Sequence, residues 1–334
     1  MIRSLLVVIV LLLAVQANAQ WINLGDKTTG DKSIMSMFFF NELHGFLGVQ
    51  SPAGLEILRT TDGGKTWLSV PLELSGNSGN VSDIFMVDAM NGWATTDANI
   101  VDSANGVLNR GLYQTTDGGL SWKIKPVLNS ATSVLQVGQK VFVTSRRDLV
   151  KMFISNDGGK TFSESVHPYL NDVQFVDPLH GVASKFETGD WIRTSDGGAT
   201  WQALPKTLPE SWSIYGLQGT SRFYATPEHD PGNRPKTSGT NVLRSLDYGL
   251  TWQTATILPY YSTGHIAAKD ELLYMQQEDT ALGKTNMAGL FRSNDRGTTW
   301  KNIGGKAALR DSRFAVTGCN GGVVYASDYF GVLY

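Results

Sequence analysis

The sequence predicts an all-β chain: a seven-bladed β-propeller of four-stranded antiparallel blades, its ring closed by pairing the N-terminal strand with the C-terminal blade. Three observations predict it. One eight-residue turn pattern recurs six times, its copies lie one four-stranded sheet apart, and the two ends of the chain together supply the strands of one more sheet.

Each copy reads Ser/Thr-x-Asp-x-Gly-x-Thr/Ser-aromatic, at 60–67, 115–122, 155–162, 194–201, 245–252 and 293–300. The physics of the pattern is local. The carboxylates of Asp62, Asp117, Asp157, Asp196, Asp247 and Asp295 are placed to accept backbone N–H groups across their own turns. The glycine two residues later allows φ > 0 where a side chain would clash. The hydroxyl residue and the aromatic then open the next strand, with the ring directed between sheets. These six aspartates read as structural staples, and Trp201 as a ring buried between blades. The pattern is similar to the Asp box of bacterial neuraminidase repeats. In families that carry this box it joins the third and fourth strands of a blade, away from the ligand face.

Spacing counts the blades. The box aromatics Trp67, Trp122, Phe162, Trp201, Trp252 and Trp300 are separated by 55, 40, 39, 51 and 48 residues. Trp21 lies 46 residues before Trp67, one further period upstream, with no box ahead of it. Beyond Trp300 three strand-like stretches follow, 313–317, 323–327 and 331–334, and no box. The expected solution is that 21–24 is the fourth strand of the blade whose first three strands end at Tyr334, which also satisfies strand edges otherwise left open. A second, weaker repeat agrees in phase. Segments 41–46, 88–93 and 177–182 align without gaps, each placing Asn-Gly or His-Gly between two apolar runs, the chemistry of a hairpin turn between first and second strands.

Residues 1–19 read as a signal peptide: Arg3, an unbroken apolar run over 5–15, then Ala17-Asn18-Ala19. The run is too short for the ~20 residues of a bilayer-crossing helix. The expectation is therefore cleavage before Gln20, one propeller domain over 20–334, a secreted or periplasmic location and no stable membrane insertion. Formal net charge is −2, which provides no basic field for nucleic acid. Cys319 is the only cysteine, so no intramolecular disulfide forms, and it reads as a small buried apolar residue. Without clustered His or Cys spacing, neither a metal nor a cofactor is expected. A monomer is expected.

The Asn/Asp-x-x-x-Gly-aromatic turn followed by Thr-x-Asp-Gly-Gly-x-Thr-Trp resembles the photosystem II stability/assembly-factor-like family of propellers. The match is most specific in the blades ending at Trp67, Trp122 and Trp201. The boxes Asp247-Tyr248-Gly249 and Asp295-Arg296-Gly297 depart from it. The resemblance implies a non-enzymatic propeller that binds a partner protein.

The box also occurs in sialidases, and similar propellers include xyloglucan-cleaving endoglucanases. A sialidase requires an arginine cluster for the substrate carboxylate. Here Arg59, Arg193, Arg244 and Arg292 each stand three residues before a boxed aspartate, so the repeat accounts for them, and no Arg-Ile-Pro occurs. Function is expected in the loops between second and third strands and between blades, which share one face of a propeller. The insertions 96–111, 226–240 and 277–287 and the connections 73–82, 205–212 and 259–265 belong to it. Candidate binding residues are Asp97, Asp102, Arg146, Arg147, His229, Asp230, Arg234, Tyr260, Tyr261 and Glu278, the two tyrosines as a stacking platform. The favoured reading is a binding or assembly-scaffold module for a protein or glycan. The alternative is a sialidase-like or xyloglucanase-like glycoside hydrolase drawing its carboxylates from Asp97, Asp102, Asp230 and Glu278.

Overall fold

The computed structural model describes residues 33–50, 55–72, 80–96, 99–102, 106–109, 111–125, 131–144, 151–166, 170–185, 188–205, 213–226, 240–258, 261–269, 272–279, 286–303, 313–316 and 324–327. Every regular element among them is a β-strand. The first sheet is a meander of β1 (Ser33–Phe39), β2 (Gly45–Gln50), β3 (Glu56–Thr60) and β4 (Leu68–Pro71). The second contains β5 (Val81–Met86) and β6 (Gly92–Thr96), then a separate hairpin of β7 (Asn99–Asp102) and β8 (Gly106–Asn109), then β9 (Leu112–Thr115) and β10 (Lys123–Lys125). The third holds β11 (Ser133–Val137), β12 (Lys140–Thr144), β13 (Lys151–Ser155) and β14 (Ser163–Val166), and the fourth β15 (Leu170–Phe175), β16 (Gly181–Lys185), β17 (Trp191–Thr194) and β18 (Gln202–Ala203). The fifth holds β19 (Ser213–Leu217), β20 (Arg222–Thr226), β21 (Thr240–Ser245) and β22 (Gln253–Leu258). The sixth holds β23 (Tyr261–Lys269), β24 (Leu272–Asp279), β25 (Asn286–Ser293) and β26 (Lys301–Asn302), and a last pair joins β27 (Arg313–Val316) to β28 (Val324–Ser327).

All pairings are antiparallel between chain neighbours, apart from the step from β6 to β9 over the β7–β8 hairpin. The first strands pack on one another in order, β1 on β5, β5 on β11, and so on through β15, β19 and β23. Strand β27 lies against both β23 and β1. Residues 21–24 and 331–334, the strands expected to pair the two ends, lie outside the described residues.

Burial follows position within each sheet. Strands β6 and β17 are buried at every position, because sheets cover both of their faces and the usual inside–outside alternation disappears. Three of the fourth strands are short and polar. Strand β18 has two residues, β26 has two and β10 has three, with Lys123, Lys125, Gln202, Lys301 and Asn302 among them. Short, polar outer strands discourage edge-to-edge pairing. The first strands of sheets one, two and four carry a bulge at the same repeat position, between Ile34 and Ser36, Val81 and Asp83, and Leu170 and Asp172. A bulge turns the next side chain sideways toward the neighbouring sheet. Ser36 Oγ accordingly donates to Val81 O at 2.8 Å, and Asp83 Oδ2 accepts Val134 N–H at 3.0 Å and Ser133 Oγ at 2.8 Å.

Four expectations need correction. Segment 96–111 is not a simple loop: the β-branched and apolar residues around Ile100-Val101 and Val107-Leu108 pair as β7–β8, its base fastened by Thr96 N–H to Gly111 O at 3.0 Å. The two ends of 277–287 are strand as well, because β24 and β25 extend past their bulge to pair Glu278 with Met287 and Asp279 with Asn286. Tyr261 stands in β23 rather than in a loop. Trp201 is only half-buried, whereas Trp122 is 1% exposed and is the box ring enclosed between sheets.

Candidate functional site

The six boxes share one hydrogen-bond lattice. In the first, Thr60 Oγ1 donates to Asp62 Oδ1 at 2.8 Å and accepts Gly64 N–H at 2.9 Å. Thr66 donates its N–H to Asp62 Oδ1 at 2.9 Å and its hydroxyl to Oδ2 at 2.6 Å. Asp117, Asp157, Asp196, Asp247 and Asp295 repeat the arrangement. The Thr66 hydroxyl and N–H hold the Asp62 carboxyl down at about 2. At Asp117 and Asp196 burial pushes upward, but the donors on Ser121 and Thr200 together outweigh it and leave both at about 2. A carboxyl this acidic holds almost no proton at neutral pH, so it has none to give as a general acid.

The box turn is tied to the turn between first and second strands of its own sheet. Gly63 N–H donates to Leu43 O at 3.0 Å, Gly118 N–H to Met90 O at 2.8 Å, Gly158 N–H to Gln139 O at 2.9 Å and Gly197 N–H to Leu179 O at 2.8 Å. Neighbouring sheets are then joined by the arginines that precede the boxes. Arg59 Nε donates to Gly118 O at 2.7 Å, Arg193 Nε to Tyr248 O at 3.4 Å, and an Arg244 guanidinium nitrogen to Arg296 O at 3.0 Å. In sheet three, where Ile154 takes the arginine position, Lys140 Nζ reaches Gly197 O at 3.4 Å instead. Arg59, Arg193 and Arg244 are thus inter-sheet ties, not a carboxylate clamp. The looser boxes keep the lattice by holding Tyr248 and Arg296 at φ 60°, where the others have glycine.

On the opposite, loop-bearing face the structure brings two candidate residues together. Tyr261 of β23 is the register partner of Glu278 of β24. Asp102 lies at the end of β7, opposite Gly106. Asp97, Arg146, Arg147, His229, Asp230, Arg234 and Tyr260 lie outside the described residues.

A cavity that sequence reasoning missed runs along the first strands. It encloses about 770 Å³ and is walled by β1, β5, β11, β15 and β19, with Phe38, Phe85, Leu135, Val173 and Tyr215 among its lining. Phe40, Val87 and Thr220 also line it, which puts its mouth among the turns between first and second strands, on the box side. Phe38 and Phe85 meet edge-to-face in its wall, with centroids 5.9 Å apart. Asp83 is its acidic member. Burial raises the Asp83 pKa, against the opposing pull of the Val134 N–H and the Ser133 hydroxyl. No group of three or more His, Cys, Asp or Glu side chains suited to a metal ion occurs among the described residues. No helix among them is long and apolar enough to cross a membrane.

Comparison with solved structures decides the architecture. YCF48 bound to D1 peptide superposes with a TM-score of 0.61 at 18% identity, covering 91% of this chain and 92% of that one. The fold is a β-propeller. YCF48 from Cyanidioschyzon merolae aligns comparably, with a TM-score of 0.57 at 14% identity over 91% and 94% of the two chains. The resemblance to assembly-factor-like propellers read from turns and boxes is therefore matched in three dimensions. A propeller of the GH74 enzymes is also similar: an ancestral member superposes with a TM-score of 0.53 at 15% identity, over 90% of this chain and 44% of that one. In sequence, a xyloglucanase of Acetivibrio thermocellus is 26% identical over 259 residues, 74% of this chain and 28% of the relative. A Paenibacillus xyloglucanase is 26% identical over 264 residues, 74% and 23% of the two. The chain thus spans under a third of the curated relatives it matches. No family profile matches it.

Proposed function

We propose that this propeller is a monomeric, secreted or periplasmic binding module for a partner protein, with the loop-bearing face as its recognition surface and no catalytic step of its own. The observation that carries this reading is that nine of the ten aspartates whose side chains are described, all but Asp190, are held in structural hydrogen bonds. All six boxed aspartates are engaged in their own turns. Asp88 and Asp177 cap the turns between first and second strands, accepting Asn91 N–H at 2.7 Å and His180 N–H at 2.8 Å. Asp83 ties two sheets together. A glycosidase instead needs one free carboxylic acid and one free carboxylate ~5–10 Å apart across a cleft. The end-to-end match with YCF48 bound to D1 peptide agrees with a protein partner.

The second reading, a glycoside hydrolase, is favoured by the sequence match to xyloglucanases and by Glu278 lying opposite Tyr261. The purified protein is expected to release no reducing sugar from xyloglucan and no sialic acid from sialyllactose. Turnover that disappears in Asp102→Asn or Glu278→Gln would replace the binding reading by the hydrolase.

We propose further that residues 20–334 form one domain of seven blades, with 21–24 completing the sheet begun by β27 and β28. The position of β27 between β23 and β1 supports this. Deleting residues 21–24 is expected to expose 323–334 to protease before the other sheets are cut. An unchanged digestion pattern would contradict shared closure.

A further inference from the structure

The wall of the cavity holds an acidic group that the joint between sheets does not require. Asp83 is turned toward the third sheet by the bulge of β5, and its Oδ2 accepts the Ser133 hydroxyl at 2.8 Å and the Val134 N–H at 3.0 Å. At the same repeat position in β1 stands Ser36, which fastens the first sheet to the second through Val81 O at 2.8 Å. A neutral hydroxyl is therefore enough for such a joint. The carboxyl brings a cost instead, since burial raises its pKa against the donors of Val134, Ser133 and Ile84. None of β1, β2, β6 and β11, the strands packed against β5, carries a Lys, Arg or His to offset it. Among the other walls, β15 has Asp172 at the corresponding bulge, again an acid. A perturbed carboxyl lining a large cavity points to a ligand site as well as a joint.

The surroundings of Asp83 define the ligand. Asp83 and Phe85 alternate along β5 with the buried Ile84 and Met86, so carboxyl and ring share the cavity face. Phe85 meets Phe38 edge-to-face, and Tyr215 adds a third ring to the lining. Both donors from the third sheet meet Oδ2, so acceptor capacity remains on Oδ1. A carboxylate beside aromatic rings in a space of about 770 Å³ suits an ammonium group on an apolar body. Arg222 is the cation of the lining, but it stands at the box-side end, opposite Leu217 beside the β19–β20 turn, and is already engaged within the protein. Asp83 lies three residues back from that end of β5, roughly 10 Å along the strand. The cavity is therefore cationic at its mouth and anionic in its depth. An anion entering past Arg222 meets the Asp83 charge and the negative faces of the rings.

We propose that this cavity binds a small organic cation, a protonated amine on an aromatic or other apolar body, with Asp83 as its counter-charge and Phe38, Phe85 and Tyr215 around the body. The site is separate from the loop face, and its test needs no partner protein. The probes are phenethylammonium, the neutral phenethyl alcohol and the anionic hydrocinnamate, each titrated into the intact protein at neutral pH by calorimetry. The ammonium binds about tenfold more tightly than the alcohol, the gain of a charge-assisted over a neutral hydrogen bond, and hydrocinnamate does not bind. Asp83→Asn and Asp83→Ser, the latter copying Ser36, each abolish the preference for the ammonium and leave the affinity for the alcohol unchanged. Retained alcohol binding shows that both variants keep the fold and the cavity. Phe85→Leu weakens both ligands, and Tyr261→Ala on the loop face weakens neither. Equal affinity for ammonium and alcohol, a preference for hydrocinnamate, selectivity that survives both Asp83 substitutions, or absence of binding would each overturn the proposal.

Discussion

Replacing Trp122 by Ala is expected to destabilise the protein by about 3–5 kcal/mol in urea unfolding, the range for removing a fully enclosed large aromatic. Trp122 belongs to the second sheet but stands edge-on to Phe46 of the first, with centroids 6.3 Å apart and planes at 89°. It shares one apolar cluster with Leu55, Ile57, Val70 and Val81. The cavity left behind would therefore open at the joint between two sheets, where neither can close over it without moving the other. The indole N–H has no acceptor among the described residues, so the loss is one of packing rather than of a hydrogen bond. Trp201→Ala serves as the comparison. Its ring occupies the same repeat position but is half-buried, and its loss is expected to be clearly smaller. Equal losses at the two sites would mean that burial between sheets is not what the box aromatic contributes.

The contrast between these two tryptophans marks how far the sequence could be read. The box is legible because its hydrogen bonds close within a few residues: Asp62 needs only Thr60 and Thr66. Burial of the ring that follows depends on the preceding sheet, about fifty residues away in the chain, and the box pattern carries no information about it. The arginines show the same division. Their position before each box was visible, yet the acceptor of Arg59 is the carbonyl of Gly118 in the next sheet. Turns between first and second strands were legible from Asn-Gly and His-Gly, whereas their attachment to the boxes through Leu43, Met90 and Leu179 carbonyls was not, since a backbone acceptor has no sequence signature.

The candidate site was less legible for a related reason. Loop residues were selected by polarity and by insertion length, and insertion length does not distinguish a loop from extra strand. Tyr261, Glu278 and Asp102 are on strands, and the first two face each other in register. The cavity was missed because its walls are assembled from one strand of each of five sheets. Each wall strand alone reads only as a short apolar run.

Gly159→Ala is expected to be among the most damaging of small substitutions, at about 3 kcal/mol, because two independent constraints coincide there. Gly159 has φ of +83°, where an L side chain costs about 1–2 kcal/mol. An added Cβ would also stand 2.2 Å from the ring of Trp93 in the preceding sheet. That ring cannot easily yield: it is 1% exposed, and its Nε1–H donates to Gln136 Oε1 at 2.6 Å. Overpacking of this kind typically adds about 1–3 kcal/mol. Gly219 separates the two contributions, since it has φ of +75° and nothing within 4 Å of the position of a Cβ. Gly219→Ala should therefore show the backbone cost alone, and the difference between the two unfolding free energies measures how tightly the second glycine of a box is pressed against the neighbouring sheet. A difference near zero would show that the box glycine is required only for its dihedral angles. Then the sheets would be held together by the arginine ties and the aromatic rings, without close approach of the backbone.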